Sequence, residues 1–139
     1  MAKKIGIDTV VLIYLFEEHP HYVKQAEQFL KSVEDGRVEA VFSSIGMIEL
    51  LTGPKKRKQY ELAARYRELL SNFPHLTITG INENIVELAS DLRARYSIST
   101  PDAIHVACAI DFEAYIFVTN DKRLKKIKEI DIQILSETK

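Results

Sequence analysis

The amino-acid sequence predicts an α/β fold, a single domain whose central, mainly parallel sheet of about four to five strands is flanked by helices. Short apolar runs of strand character alternate with longer segments in which apolar residues recur at helical spacing. The run 115–119 is almost continuously apolar, as in strands buried on both faces of a sheet. The chain of 139 residues contains no internal repeat, low-complexity segment or linker, so residues 1–139 are predicted to form one domain.

In the first half of the chain, two predicted strands each precede a predicted helix. Ser43-Ser44 suits the N-cap of the helix that follows the second strand. Gly53-Pro54 is predicted to stop that helix, and the basic run 55–58 to open a longer one. The strands are predicted at residues 4–8 and 38–42, and the helices at about residues 10–16, 20–34, 45–51 and 55–73.

The second half repeats this alternation. Asn82 or Asn84 would cap one helix, and Ser99 or Thr100 would cap the next, with Pro101 at its first helical position. A short helix or turn is expected around residues 124–127. The remaining strands are predicted at residues 76–79, 115–119 and 130–135, and the two capped helices include residues 85–92 and 101–110.

Composition gives no sign of a strongly charged partner. Lys and Arg number 19 against 20 Asp and Glu, a formal net charge of −1, so a nucleic acid would have to be met by a local basic patch. The single cysteine, Cys108, cannot form an internal disulfide and is predicted to pack as a small core residue. No apolar run reaches the roughly 20 residues of a membrane span, and no signal-peptide region precedes the first strand. We therefore expect a cytoplasmic protein without a membrane partner.

Four carboxylates occupy comparable positions in the predicted fold. Asp8 ends the first strand, Asp121 follows the strand 115–119, Asp102 lies in the first turn of a helix, and Glu49 lies on the short helix after the second strand. Parallel strands open their carboxyl ends on one edge of a sheet, so these acids are expected to meet there. Taken singly, each acid has a simpler interpretation as a helix cap, a turn former or a solvent-facing side chain.

Gathered carboxylates indicate a cation, because they repel one another unless their charge is neutralised. Oxygen ligands suit hard cations such as Mg²⁺ or Mn²⁺. No cluster of cysteine and histidine with zinc spacing competes with this interpretation. His105, three residues after Asp102, is expected to be structural or solvent-facing rather than a ligand, since a hard cation prefers oxygen.

Four sequence blocks carry a family resemblance. They are Ile5-Gly6-Ile7-Asp8-Thr9, Ser43 through Glu49-Leu50-Leu51-Thr52-Gly53, Thr100-Pro101-Asp102-Ala103-Ile104-His105-Val106-Ala107, and Phe117-Val118-Thr119-Asn120-Asp121 with Leu124. Together they resemble a PIN domain and, more narrowly, the VapC-type toxins of prokaryotic toxin–antitoxin pairs. The resemblance covers nearly the whole chain, and the blocks occur in the family's order.

The resemblance implies a Mg²⁺- or Mn²⁺-dependent endoribonuclease whose products carry 5′-phosphate and 3′-hydroxyl ends. The catalytic, metal-holding acids would be Asp8, Glu49, Asp102 and Asp121, and the supporting residues would be Thr9, Thr119 and Asn120. The chain departs from many relatives at Val10, where they have Asn or Ser. The resemblance also implies an RNA substrate, a cognate antitoxin protein that inserts a peptide near the site, and a homodimer or higher homo-oligomer.

Two basic stretches are candidates for RNA contacts. Lys122, Arg123, Lys125 and Lys126 follow Asp121 directly, and are predicted to bind RNA phosphates. The run 55–58 is at least as well explained as a solvated helix face.

Other functions share parts of this pattern. A housekeeping RNA-processing nuclease would have the same acids as a toxin. A PIN domain that binds RNA without cutting it would not need the full set. A phosphoacceptor receiver-like module also places an Asp after a strand, but it normally needs a pair of acids near the first strand and a Lys after the last.

Overall fold

Five parallel strands form one sheet in a computed structural model that describes residues 2–138. The strands are β1 (Lys3–Ile7), β2 (Val38–Ser43), β3 (Leu76–Thr79), β4 (Ile116–Thr119) and β5 (Asp131–Ile134). Their order across the sheet is β3-β2-β1-β4-β5, and every pairing of neighbours is parallel. The predicted α/β class and parallel sheet are therefore confirmed, with β1 at the centre.

Helices cover both faces of the sheet. The α-helices are α1 (Thr9–Phe16), α2 (Val23–Glu34), α3 (Ser44–Lys56), α4 (Tyr60–Ser71), α5 (Glu83–Tyr96) and α6 (Thr100–Asp111), and 3₁₀ turns span Lys122–Lys126 and Leu135–Glu137. Helices α1 to α4 pack on one face, whereas α5 and α6 pack on the other. No helix within residues 2–138 is both long and apolar enough to cross a membrane.

Alternation along the central strands builds two separate cores. Successive side chains of a strand point to opposite faces. Ile5 and Ile7 accordingly pack with α1 to α4, and on β4 Val118 joins them while Phe117 packs with α5 and α6. Both faces are apolar because both are covered, as expected for a parallel sheet.

The third helix corrects the sequence prediction. It runs to Lys56 with Pro54 inside it, so Gly53-Pro54 does not stop it. A proline inside a helix costs about 3 kcal/mol, but the buried face of α3 continues through Leu50 and Leu51 to Pro54, and this packing offsets the cost. The basic run 55–58 therefore belongs to the end of α3 and the following turn, not to the start of α4.

Helix α6 lies unusually close to β1 because both elements present small residues at their contact. A Cβ atom placed on Gly6 would lie 2.4 Å from the Cβ atom of Ala109. Real side-chain atoms do not approach so closely, so only glycine fits at this position. The contact sets the distance between β1, which leads into Asp8, and α6, whose first turn contains Asp102.

The change Gly6→Ala should destabilise the fold by about 1–3 kcal/mol, because the added methyl group overpacks the contact with α6. Urea unfolding followed by circular dichroism measures this as a lower midpoint. Gly80→Ala is the matched control, since a Cβ atom at Gly80 meets no atom within 4 Å. Equal midpoints for the two variants would contradict the tight contact.

Candidate active site

Asp8 lies at the carboxyl end of β1, where it precedes the first turn of α1. Its residue exposure is only 9%. The Thr119 hydroxyl donates to Asp8 Oδ2 at 2.6 Å, and this bond joins the ends of β1 and β4. Burial raises the pKa of the Asp8 carboxyl, and the Thr119 hydrogen bond opposes that rise. The ionised form of Asp8 is thus held at a cost that a nearby cation would relieve.

Asp102 is an acid whose charge affects the pKa of Asp8. It lies in the first turn of α6, where its backbone N–H donates to the Oγ of the N-cap Ser99 at 3.2 Å. The negative charge of Asp102 contributes to the raised pKa of Asp8. The two carboxylates therefore lie close enough at the carboxyl edge of the sheet for their charges to interact, and a shared metal site stays a prediction.

Asp121 approaches the same edge but is already paired. The Arg123 guanidinium donates to both carboxylate oxygens, at 3.0 Å to Oδ1 and 2.8 Å to Oδ2, and these bonds lower the pKa of Asp121. The backbone N–H of Asp121 donates to the Thr119 hydroxyl oxygen at 3.1 Å. Asp102, Asp121, Arg123 and Lys126 line one cleft of about 190 Å³.

Glu49 is held on the opposite side of Asp8 by two hydrogen bonds to one oxygen. The Thr9 hydroxyl and the His105 Nε2 lie 2.7 Å and 2.8 Å from Glu49 Oε1. The bond to His105 is the main cause of a lowered pKa of the Glu49 carboxyl, with Thr9 adding to it. The Glu49 side chain remains 41% exposed, so its other oxygen, Oε2, lies outside this network and can meet a ligand.

His105 and Ser43 are site residues that the sequence analysis did not identify. Of the two expectations for His105, the structural one is confirmed and the solvent-facing one is wrong. Its side chain is only 2% exposed and contacts Ser43 Oγ through Nδ1 at 2.7 Å. Ser43 was expected only as an N-cap, a role it has through the Gly46 N–H at 3.0 Å. The available signal was His105 itself, a polar ring in an alanine-rich, otherwise apolar helix that requires hydrogen-bond partners.

The other residues predicted to support the site or to bind RNA are Asn120 and the basic residues that follow Asp121. Asn120 donates to the Tyr14 hydroxyl oxygen at 3.0 Å and accepts the Ser136 N–H at 3.0 Å, so it ties the end of β4 to two other segments. Lys125 pairs with Glu137 at 3.0 Å. Lys122 and Lys126 are exposed beside Asp121.

The carboxylate oxygens of Asp8 and Asp102 are donors of the kind that a hard divalent cation takes. Mg²⁺ keeps several waters and is usually bound through one or two carboxylates together with substrate phosphates. Within residues 2–138, no three or more His, Cys, Asp or Glu side chains are placed to hold one ion. Glu49 and Asp121 instead pair with His105 and Arg123. That Asp8, Glu49, Asp102 and Asp121 hold metal stays a prediction.

The fold and the position of the acids place this chain among small α/β domains with an acidic site at the carboxyl edge of a parallel sheet. The PIN domain family model matches residues 5–130, and the chain belongs to this family. Among curated proteins, none matches this chain.

Several solved structures share the fold over nearly their full length. A toxin–antitoxin complex from Klebsiella pneumoniae has 26% identity and a TM-score of 0.72, covering 96% of this chain and 98% of that one. VapBC2 from Rickettsia felis, bound to a promoter DNA fragment, has 21% identity and a TM-score of 0.76, covering 94% and 98%. VapC20 from Mycobacterium tuberculosis, a sarcin–ricin loop cleaving toxin, has 14% identity and a TM-score of 0.70, covering 91% and 98%.

The change Asp8→Asn should stabilise the metal-free fold at neutral pH. The pKa of Asp8 is higher in the folded than in the unfolded chain. The stability that the fold gains from protonation of Asp8 is therefore fully present below the unfolded pKa and is lost as pH rises through the folded pKa. Asparagine keeps an oxygen for the Thr119 hydroxyl but carries no charge. Urea unfolding in EDTA should give the variant the larger free energy of unfolding at pH 7, with the difference shrinking towards pH 4.

The exposed Asp91 on α5 supplies the control, and Asp91→Asn should change this free energy little at any pH. A less stable Asp8→Asn protein at pH 7 would contradict the electrostatic cost assigned to Asp8.

Proposed function

We propose that this chain is a Mg²⁺- or Mn²⁺-dependent endoribonuclease and the toxin of a type II toxin–antitoxin pair. The observation that carries the proposal is the buried Asp8 at the carboxyl edge of a PIN-family sheet, with Asp102 close enough for its charge to act on Asp8. A buried acid whose pKa is raised partly by a second acid is the arrangement that a divalent cation neutralises.

In this proposal, Asp8 and Asp102 hold the cation. A bound divalent cation supplies Lewis acidity and charge neutralisation for phosphodiester hydrolysis. The Thr119 hydroxyl fixes the Asp8 carboxylate by donating to Oδ2. Glu49 and Asp121 flank this pair and orient water or contribute to a second cation.

RNA reaches this acidic edge through local positive charge. Lys122 and Lys126 are exposed next to Asp121, and Lys126 lines the cleft that contains Asp102. In the RNA-binding stretch proposed here, Arg123 and Lys125 would exchange their carboxylate partners, Asp121 and Glu137, for phosphate oxygens. RNA as the substrate class is supported by the cleavage target named for VapC20, the Mycobacterium tuberculosis protein of the same fold.

The toxin assignment draws on the relatives. Structures with this fold include toxin–antitoxin complexes from Klebsiella pneumoniae and Rickettsia felis, which supports a cognate antitoxin as the partner of this chain. Self-association, a cytoplasmic location and a single PIN domain over residues 1–139 complete the proposal. An antitoxin bound at the acidic edge would suppress cleavage until it is removed.

The changes Asp8→Asn and Asp102→Asn should each lower RNA cleavage on the order of 100-fold or more, because each removes a charge that holds the cation. Initial rates on a fluorescent single-stranded RNA with Mg²⁺ or Mn²⁺ measure the effect, and EDTA should abolish cleavage. Asp91→Asn should cut at the wild-type rate. An undiminished rate in Asp8→Asn would refute the assignment.

Growth after induced expression separates the toxin from a processing nuclease. The wild-type chain should arrest cells that lack the antitoxin, and Asp8→Asn should not. Cleavage in vitro without growth arrest would favour the processing nuclease.

Replacing both Lys122 and Lys126 with Gln should weaken RNA binding and its dependence on salt. Each phosphate contact to a single strand contributes about 0.7 to the slope of log affinity against log salt, so two contacts contribute about 1.4. Fluorescence anisotropy in the Asp8→Asn background measures binding without cleavage. The double change Lys55→Gln and Lys56→Gln at the end of α3 is the matched control, and an equal loss of slope there would refute the assigned surface.

A further inference from the structure

His105 is a buried histidine that the proposed reaction does not use directly. It lies on the first turns of α6, yet both ring nitrogens have partners on other elements. Nδ1 is 2.7 Å from Ser43 Oγ at the end of β2, and Nε2 is 2.8 Å from Glu49 Oε1 on α3. A ring held at both nitrogens has one orientation, and it connects two elements to a third.

The hydrogen-bond pattern assigns the ring proton. Ser43 Oγ already accepts the N–H of Gly46 at 3.0 Å, so its own hydroxyl proton is available to Nδ1. The Glu49 carboxylate can only accept, so the proton between it and the ring lies on Nε2 and is donated to Glu49. Second partners that fix a histidine in this way are a common means of orienting groups around metal sites.

The position of Glu49 depends on the same contact. Gly46, one turn before Glu49, lets the start of α3 lie against Thr9, since a Cβ atom there would be 2.9 Å from Thr9 Oγ1 and 2.4 Å from the Phe42 ring. The Thr9 hydroxyl and the His105 N–H then both meet Oε1. One carboxylate oxygen is thereby fixed, and Oε2 is left for a ligand.

We propose that His105 is a positioning residue that orients the Glu49 carboxylate towards a divalent cation or its water, with Ser43 fixing the ring. This inference rests on the proposed function, because it assumes that Glu49 serves the nuclease site. It assigns His105 no contact with RNA or with the cation. His105 supplies one N–H donor, which fixes the position of Glu49 Oε1.

Two amide substitutions separate positioning from packing. In His105→Gln the amide N–H can occupy the place of Nε2 and still donate to Glu49. In His105→Asn the shorter amide lies at the level of Nδ1, so it can bind Ser43 but cannot reach Glu49. Both variants lose the ring and its packing, whereas only His105→Asn loses the donor to Glu49.

His105→Asn should lower kcat about 10- to 100-fold with little change in KM, and should weaken Mn²⁺ binding by a similar factor, whereas His105→Gln should stay within about threefold of wild type in both. Mn²⁺ binding is measured by electron paramagnetic resonance without RNA. His75→Asn is the matched control, a histidine whose Nδ1 contacts the Val33 carbonyl far from the site. Equal losses in the two His105 variants would overturn the inference and leave a packing role.

The ring proton of the wild-type protein gives a test that needs neither activity nor a folded variant. Long-range ¹⁵N–¹H spectra of His105 at neutral pH should show Nε2 protonated, and an unprotonated Nε2 would overturn the inference. If Nε2 is protonated but the wild type neither binds Mn²⁺ nor cuts RNA, the proposed function fails while the contact with Glu49 stands.

Discussion

Close packing at two glycines, Gly6 of β1 and Gly46 of α3, is the constraint on which the site depends. Gly6 admits the Ala109 side of α6, and Gly46 admits Thr9 and the Phe42 ring against α3. Because these elements approach so closely, side chains as short as Asp8 and Thr9 can interact with residues far along the chain. Larger residues at either glycine would push the helices outward and separate these groups.

The acids at this edge differ in how their charge is compensated. Glu49 and Asp121 have donors of their own, His105 with Thr9 and Arg123 respectively, and their pKa values are lowered. Asp8 is buried, and its pKa is raised despite the Thr119 hydrogen bond. Of these three acids, Asp8 is therefore the one whose ionised form is disfavoured by its surroundings.

The fold could be predicted because each strand of the sheet has a recognisable local sequence pattern. The apolar run 115–119 could be recognised from the burial of both faces of a parallel sheet. Ser43, Asn82 and Ser99, each one of two residues predicted as a cap, are the ones that cap their helices. The end of α3 was missed because the burial of Pro54, a tertiary effect, outweighs its local preference.

The positions of the acids could be anticipated, but their partners could not. Topology brings Asp8 and Asp102 to one edge, and this was visible in the sequence. The bond between His105 and Glu49 joins residues 56 positions apart and depends on the packing of α3 against α6, which no local pattern encodes. The pairing of Asp121 with Arg123 likewise required the geometry of the 3₁₀ turn.

The hydrogen bond from Thr119 to Asp8 joins residues 111 positions apart, and β1 has β4 as one of its two neighbours. During synthesis, the second edge of β1 can therefore be paired only after the residues of β4, up to Thr119, have been made. The acidic edge cannot exist on a nascent polypeptide that stops before β4. Under the proposed function, this order of assembly keeps the nuclease site incomplete until β4 has been synthesised.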